Sequence, residues 1–177
     1  MIKEYTGKDV IIMTCSNCNT HCKHCYISYE GNFEKEKLLD LCSIFMQRYN
    51  VLLNGTEILL HPEYFEALQL IGQGFIVTNG IALAKNSRLI EELMSFGIKS
   101  VGMSYHMGIH KEISSVKKEV IEENIQSLLH YGLDTYLRVT ITSKNYYLLR
   151  QMCEDAIMLG AKGIKFTNFM RMGQQLI

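Results

Sequence analysis

The sequence predicts an α/β fold of parallel strands, and two observations carry that expectation. Short apolar runs of strand length alternate with longer segments whose apolar residues recur at three and four positions, through nearly the whole chain. Glycines punctuate the junctions: Gly74, Gly97, Gly132 and Gly160 each follow a helical pattern and precede a strand, where a left-handed residue belongs. Strands alternating with helices of this length build right-handed βαβ units and a parallel sheet. Period alone leaves an open sheet and a curved partial barrel both open.

Taken in order, strands are expected over residues 10–14, 51–54, 75–78, 100–105, 135–142 and 163–169. The first helix between them carries Leu38, Leu41, Phe45 and Tyr49 on one stripe, and the second Phe65, Leu68 and Ile71. Leu89, Leu93 and Phe96 mark the third, Ile121, Ile125 and Leu128 the fourth, and Leu149, Met152, Ala156 and Leu159 the fifth. Pro62, the only proline, suits a first helical turn, and Asn86 and Asn145 are placed as N-caps. In parallel α/β architectures the chemistry gathers at the carboxyl ends of the strands.

With 177 residues and 47% of them apolar, the chain can bury one core and is short for two. Eighteen lysines and arginines balance eighteen aspartates and glutamates, so bulk nucleic-acid binding is not expected. No apolar run is long enough to span a bilayer, and the opening Met1, Ile2, Lys3 lacks the design of a secretory signal; a cytoplasmic protein is expected. Six cysteines in such a chain argue for reduced thiols or metal ligation over disulfides. Cys42 and Cys153 fall within helical patterns, where a cysteine is ordinarily buried and inert.

The other four cysteines lie within eleven residues, at the end of the first strand. Cys18, Cys22 and Cys25 have C-x3-C-x2-C spacing, which can hold three irons of a [4Fe-4S] cluster and leave the fourth for a small molecule. Cys15 precedes them, so four thiolates closing around zinc or around an electron-transfer cluster is the competing arrangement. Polar residues also end the next strands: Asn54 to Glu57, then Thr78, Asn79 and Gly80, then Ser104, Tyr105 and His106. Independent accidents would scatter over both ends of the sheet. His106 and His110 have the spacing of a metal pair on a helix, but Gly108 between them argues against a helix there; a role near substrate is the other expectation.

The cysteine spacing resembles that of the radical SAM superfamily, with a core similar to its peptide- or protein-modifying and molybdenum-cofactor-type branches. The resemblance implies a partial (β/α)6 barrel of parallel strands, a [4Fe-4S] cluster on Cys18, Cys22 and Cys25, and S-adenosylmethionine on the open iron. It implies an oxidoreductase or modifying enzyme that cleaves S-adenosylmethionine reductively to a 5′-deoxyadenosyl radical. That radical takes hydrogen from substrate. The Gly-Gly-Glu-Pro of the family reads Gly55, Thr56, Glu57 and Ile58 here, with Gly55, Thr56 and Glu57 expected around the methionine amino group. Ser104 is expected at the ribose hydroxyls and Arg138 at the methionine carboxylate, with pairing of Arg138 to Glu57 or Asp134 as the structural alternative. His24, Tyr26 and Met170 are expected near the adenine or the cluster, Asn79 as the shaper of its loop, and His61 as a structural residue.

The resemblance further implies one core domain over residues 1–177, ending just after the sixth strand and without ligands for auxiliary clusters. Its expected partners are an external electron donor and a peptide or protein substrate, with modified nucleotides or cofactor precursors as the alternatives, and the barrel is expected to be closed by the substrate or by a partner subunit. Two other classes remain beside the enzyme. One is the non-catalytic four-cysteine module, the other a degenerate family member that serves as a binding partner.

Overall fold

The computed structural model describes residues 8–25, 27, 31–106 and 116–169. Six parallel strands run through it: β1 (Asp9–Met13), β2 (Asn50–Asn54), β3 (Phe75–Thr78), β4 (Ser100–Ser104), β5 (Asp134–Ile141) and β6 (Gly163–Asn168). Between them lie α1 (Lys35–Phe45), α2 (Phe65–Ile71), α3 (Ser87–Ser95), α4 (Lys118–His130) and α5 (Leu149–Met158). Each strand lies within a residue or so of its expected bounds. Strand runs bounded by glycine or polar turns leave little freedom in where the pleat begins.

The strands do not form one continuous ladder. β1 pairs with β2, and β3, β4, β5 and β6 pair in sequence order, but no ladder joins β2 to β3. The side chain of Gln73 fills that gap: its Oε1 accepts from the Leu53 amide at 2.7 Å and its Nε2 donates to the carbonyls of Leu53 at 3.0 Å and Phe75 at 2.9 Å. A carboxamide offers the same donor and acceptor pair as a peptide group, so the strand edge stays satisfied without a neighbour.

The helices pack on the strands through the stripes the sequence marks. Leu38 and Cys42 of α1, Phe65 and Leu68 of α2, Leu93 of α3, Ile121, Ile125 and Leu128 of α4, and Met152 of α5 are fully excluded from water. They meet Val51, Leu53, Ile76, Val101, Met103, Leu137 and Val139 from the sheets in one core. Cys42 is buried as expected, and burial pushes its thiol up to about 11. Cys153 is only half-buried.

Two local expectations are corrected. The left-handed residue ending α2 is Gly72, at φ 70°, and not Gly74, whose carbonyl accepts from Lys99 and Ser100 instead. Asn86 caps α3 through the Leu89 amide, whereas Asn145 holds the N-cap position of the 3-10 turn Tyr146–Leu148 without a side-chain cap bond. Its Oδ1 accepts from the Thr142 amide at 2.7 Å and its Nδ2 donates to the Thr140 carbonyl at 2.9 Å, closing the turn after β5. No helix among the described residues is long and apolar enough to cross a membrane.

Candidate active site

The carboxyl ends of the strands enclose a cavity of about 310 Å³. Cys18, Cys22 and Cys25 line it from the loop after β1, Gly55 and Thr56 from the loop after β2, and Asn79 from the loop after β3. Ser104 and Arg138 line it from β4 and β5, together with His24 and His106. Tyr26, His110 and Met170 lie outside the described residues.

The cysteine loop is closed at its base like a small hairpin. Cys15 and Asn32 form an antiparallel bridge, the Ser16 amide donates to the Gly31 carbonyl at 3.1 Å, and the Phe33 amide donates to the Thr14 carbonyl at 3.0 Å. Thr56 staples the loop from the side, its amide donating to the Cys15 carbonyl at 3.1 Å and its hydroxyl to the carbonyl of Asn17. Where the family pattern has glycine, the threonine hydroxyl thus makes bonds a glycine has no atom to make.

Cys15 is set apart from the other three. It is wholly buried and does not line the cavity. A Cβ placed on Gly55 would stand 2.6 Å from its sulfur, so the absence of a side chain at position 55 is what admits the Cys15 thiol. Around the cavity, the Thr20 hydroxyl stands 3.1 Å from Cys18 Sγ and 3.4 Å from Cys22 Sγ. Burial raises the Cys22 thiol above its ordinary value, partly opposed by the Thr20 hydrogen bond. The six cysteines form no disulfide. Among the described residues no three His, Cys, Asp or Glu side chains close on one point as the ligands of a single ion do.

Glu57, expected around the methionine amino group, lies behind the residues that line the cavity. It is fully buried, and its carboxylate accepts from the Thr78 hydroxyl at 2.7 Å, the Asn79 amide at 2.7 Å and the Leu59 amide at 3.3 Å. Burial raises its pKa above the ordinary 4.5, and those three donors work in the opposite direction. The carboxylate is engaged in tying the loop after β2 to the loop after β3.

Asn79 does more than shape its loop. Its Oδ1 accepts from the Ile81 amide at 2.9 Å, while its Nδ2 donates to Asn19 Oδ1 at 2.8 Å and to Cys18 Sγ at 3.6 Å. Gly80 follows at φ 84°, packed so closely that a Cβ there would meet Met103 Cε at 2.5 Å and Asn124 Nδ2 at 2.9 Å. Asn124 of α4 donates to the Gly80 carbonyl at 2.7 Å.

On β5, Thr135, Leu137 and Val139 are buried toward the helices, so the pleat turns Arg138 and Thr140 to the cavity. Arg138 pairs in register with Ser104 of β4. Its aliphatic stem crosses Gly102, where an added Cβ would stand 3.1 Å from Arg138 Cγ. Of the two structural partners expected for Arg138, Asp134 forms an ion pair with Lys162, and Glu57 is engaged as described. His24 and His106 meet edge to face with ring centroids 4.6 Å apart, and burial lowers the His24 pKa to about 4. His61 is buried away from the cavity, bonded to Glu63 at 3.1 Å and stacked on Tyr64, as a structural residue would be.

Sequence reasoning missed Thr20, Gly102, Gln73 and Asn124. Thr20 and Gln73 had no motif to mark them. Asn124 was visible as a polar residue on the apolar stripe formed by Ile121, Ile125 and Leu128.

No protein-family model matches the chain, and no curated protein matches its sequence. Solved structures resemble it closely in shape. Streptococcus suis SuiB bound to S-adenosylmethionine superposes with a TM-score of 0.75 at 12% identity, over 94% of this chain and 42% of that one. The enzyme anSMEcpe, with S-adenosylmethionine and a peptide bound, gives 0.75 at 19% identity over 92% of this chain and 51% of its own. The radical S-adenosylmethionine methyltransferase TsrM from Kitasatospora setae, with cobalamin and a [4Fe-4S] cluster, gives 0.63 at 12% over 91% and 36%. The chain thus spans about half the length of these neighbours or less. Six parallel strands in sequence order, with a cysteine loop after the first and a cavity at their carboxyl ends, give this chain the partial-barrel fold of the radical S-adenosylmethionine enzymes.

Proposed function

We propose that this chain is a radical S-adenosylmethionine enzyme that uses a [4Fe-4S] cluster held by Cys18, Cys22 and Cys25. The observation that carries the proposal is the arrangement of those three thiols on one wall of the cavity while Cys15 is buried behind Gly55. Three thiols at the cavity, with the fourth buried apart from them, suit a cluster that leaves one iron open better than a closed four-cysteine site. When bound, the cluster would pass one electron from an external donor to the sulfonium, splitting S-adenosylmethionine into methionine and a 5′-deoxyadenosyl radical that takes a hydrogen atom from substrate.

The chain's own residues prepare the site for this cofactor. Arg138 brings a guanidinium to the cavity wall, where a charge-assisted bond to a carboxylate is favourable, and Gly102 lets its stem lie flat. Gly55 and Thr56 bring backbone groups close to the cysteine loop, suited to the amino group, and Ser104 offers a hydroxyl for a ribose. His24 and His106 form an apolar-faced corner at the same cavity, a place for an adenine or for substrate. Glu57 acts from behind by fixing the Asn79 loop.

A peptide or protein side chain is the substrate class we favour. It is supported by the peptide bound to anSMEcpe and by the outer edges of β1 and β6, which pair with no strand among the described residues. Residues 1–177 would form one core domain of this enzyme.

The test is anaerobic reconstitution with iron and sulfide, reduction with dithionite, and an assay for 5′-deoxyadenosine. Wild type and Cys15→Ala are expected to hold iron and form it, and Cys22→Ala to do neither. A Cys15→Ala variant that loses metal as completely as Cys22→Ala would replace the enzyme with the closed four-cysteine module.

A further inference from the structure

Two side chains other than the ligating cysteines place hydrogen-bond donors on a ligating sulfur. Asn79 Nδ2 stands 3.6 Å from Cys18 Sγ, and Thr20 Oγ1, with one proton to give, stands 3.1 Å from the same sulfur and 3.4 Å from Cys22 Sγ. Both residues are nearly excluded from water, at 7% and 9% exposure, although the sulfur they face lines the cavity. A thiolate bound to iron has no proton to donate, so both contacts then run toward sulfur.

Asn79 is not able to swing away from this role without breaking other bonds. Its amide nitrogen is fixed by Glu57 Oε2 at 2.7 Å, its Oδ1 by the Ile81 amide at 2.9 Å, and the second proton of its Nδ2 faces Asn19 Oδ1 at 2.8 Å. Glu57 is itself anchored by Thr78 at 2.7 Å. The result is a strut from the loop after β2, through the loop after β3, to the cysteine loop, and it ends on sulfur.

We propose that Asn79 and Thr20 are positioning residues that fix the cysteine loop and, by donating hydrogen bonds to its ligating sulfurs, Asn79 to Cys18 and Thr20 to Cys18 or Cys22, raise the reduction potential of the cluster bound there. This rests on the function proposed above. Hydrogen bonds to cluster sulfurs are one of the levers that set such potentials, because they favour the more electron-rich reduced state.

The experiment compares the reconstituted wild type with Asn79→Ser and Thr20→Val, reading iron and sulfide per chain and the cluster's midpoint potential by a mediated titration followed by electron paramagnetic resonance. Serine at 79 keeps an oxygen for the Ile81 amide and removes the donor to Cys18. Valine at 20 keeps the shape and removes the hydroxyl. Each variant is expected to load like wild type and to titrate at a more negative potential, the double variant more negative still, and Thr20→Ser is expected to return to the wild-type value. Wild-type midpoints in both single variants would overturn the proposal and leave the enzyme reading intact. A wild type that takes up no cluster would overturn that reading and this inference with it. Should Asn79→Ser not fold, Thr20→Val with its serine control decides alone.

Discussion

Gly55 illustrates how one missing side chain can organise a site. A Cβ there would stand 2.6 Å from Cys15 Sγ and 2.9 Å from Thr14 Oγ1, both on the strand end that launches the cysteine loop. Gly55→Ala is expected to destabilise the fold by about 1–3 kcal/mol, the range for overpacking a close-packed interior. Adding Cys15→Ala should return much of that loss, because it removes the atom in the way. Urea denaturation of the single and double variants measures the coupling, and strict additivity would exclude this contact as the cause. At this scale the sequence was informative about identity and less so about direction. Cys18, Cys22, Cys25, Thr56 and Ser104 line the cavity from loops or a strand end, and Arg138 lines it from within β5, where the pleat turns it inward. Glu57, also named for the site, is buried and accepts from Thr78 and Asn79, so whether its side chain faces the cavity or the loop behind it turns on the loop's local conformation. No spacing rule resolves that choice.

Among the elements, the gap between β2 and β3 is where sequence pattern and structure part most. Periodicity located both strands, since each is a compact apolar run, yet it carries no information on whether neighbours are close enough to pair. Gln73 decides the matter from a position just before β3. Gln73→Leu would leave the amide and carbonyl of Leu53 without their partner, and about 2–4 kcal/mol of stability should be lost from two buried groups. Amide hydrogen exchange gives the specific signature: Leu53 should lose protection while Val101 in the β3–β6 sheet keeps it. Equal loss at both positions would mean general unfolding and not a failed bridge. The helices were legible for a simpler reason. Their buried residues recur with the helical period, and Gly97, Gly132 and Gly160 do take positive φ where each helix ends.

The pH response of the whole molecule should carry the mark of Glu57. Its folded pKa lies above the ordinary 4.5, so the native state holds that proton more tightly than the unfolded chain. The stability this adds is fully present below the ordinary carboxylate value and is lost as pH rises through the raised one. Glu57→Gln cannot ionise, although its amide facing the Asn79 N–H imposes a constant penalty at every pH. The difference in urea midpoint between variant and wild type is therefore expected to move in the variant's favour from about pH 4.5 upward. A difference that stays level with pH would show that the three donors hold the carboxylate ionised throughout. Architecture as a whole was the most legible level, because alternating runs, glycine stops and chemistry at one end all point to parallel βαβ units, while the choice of a barrel over an open sheet came only with the family resemblance.

The break in the sheet also divides the cavity wall in two. The cysteine loop and residues 54–56 belong to the β1–β2 side, while Asn79, Ser104 and Arg138 belong to the β3–β6 side. The bonds of Gln73, Glu57 and Asn79 that span the division each use a side chain. Across that seam the two sides are joined by packing and by these side-chain bonds, with no backbone ladder between β2 and β3, so a substitution at Gln73, Glu57 or Asn79 alters a link between the two halves of the wall while every strand ladder stays whole.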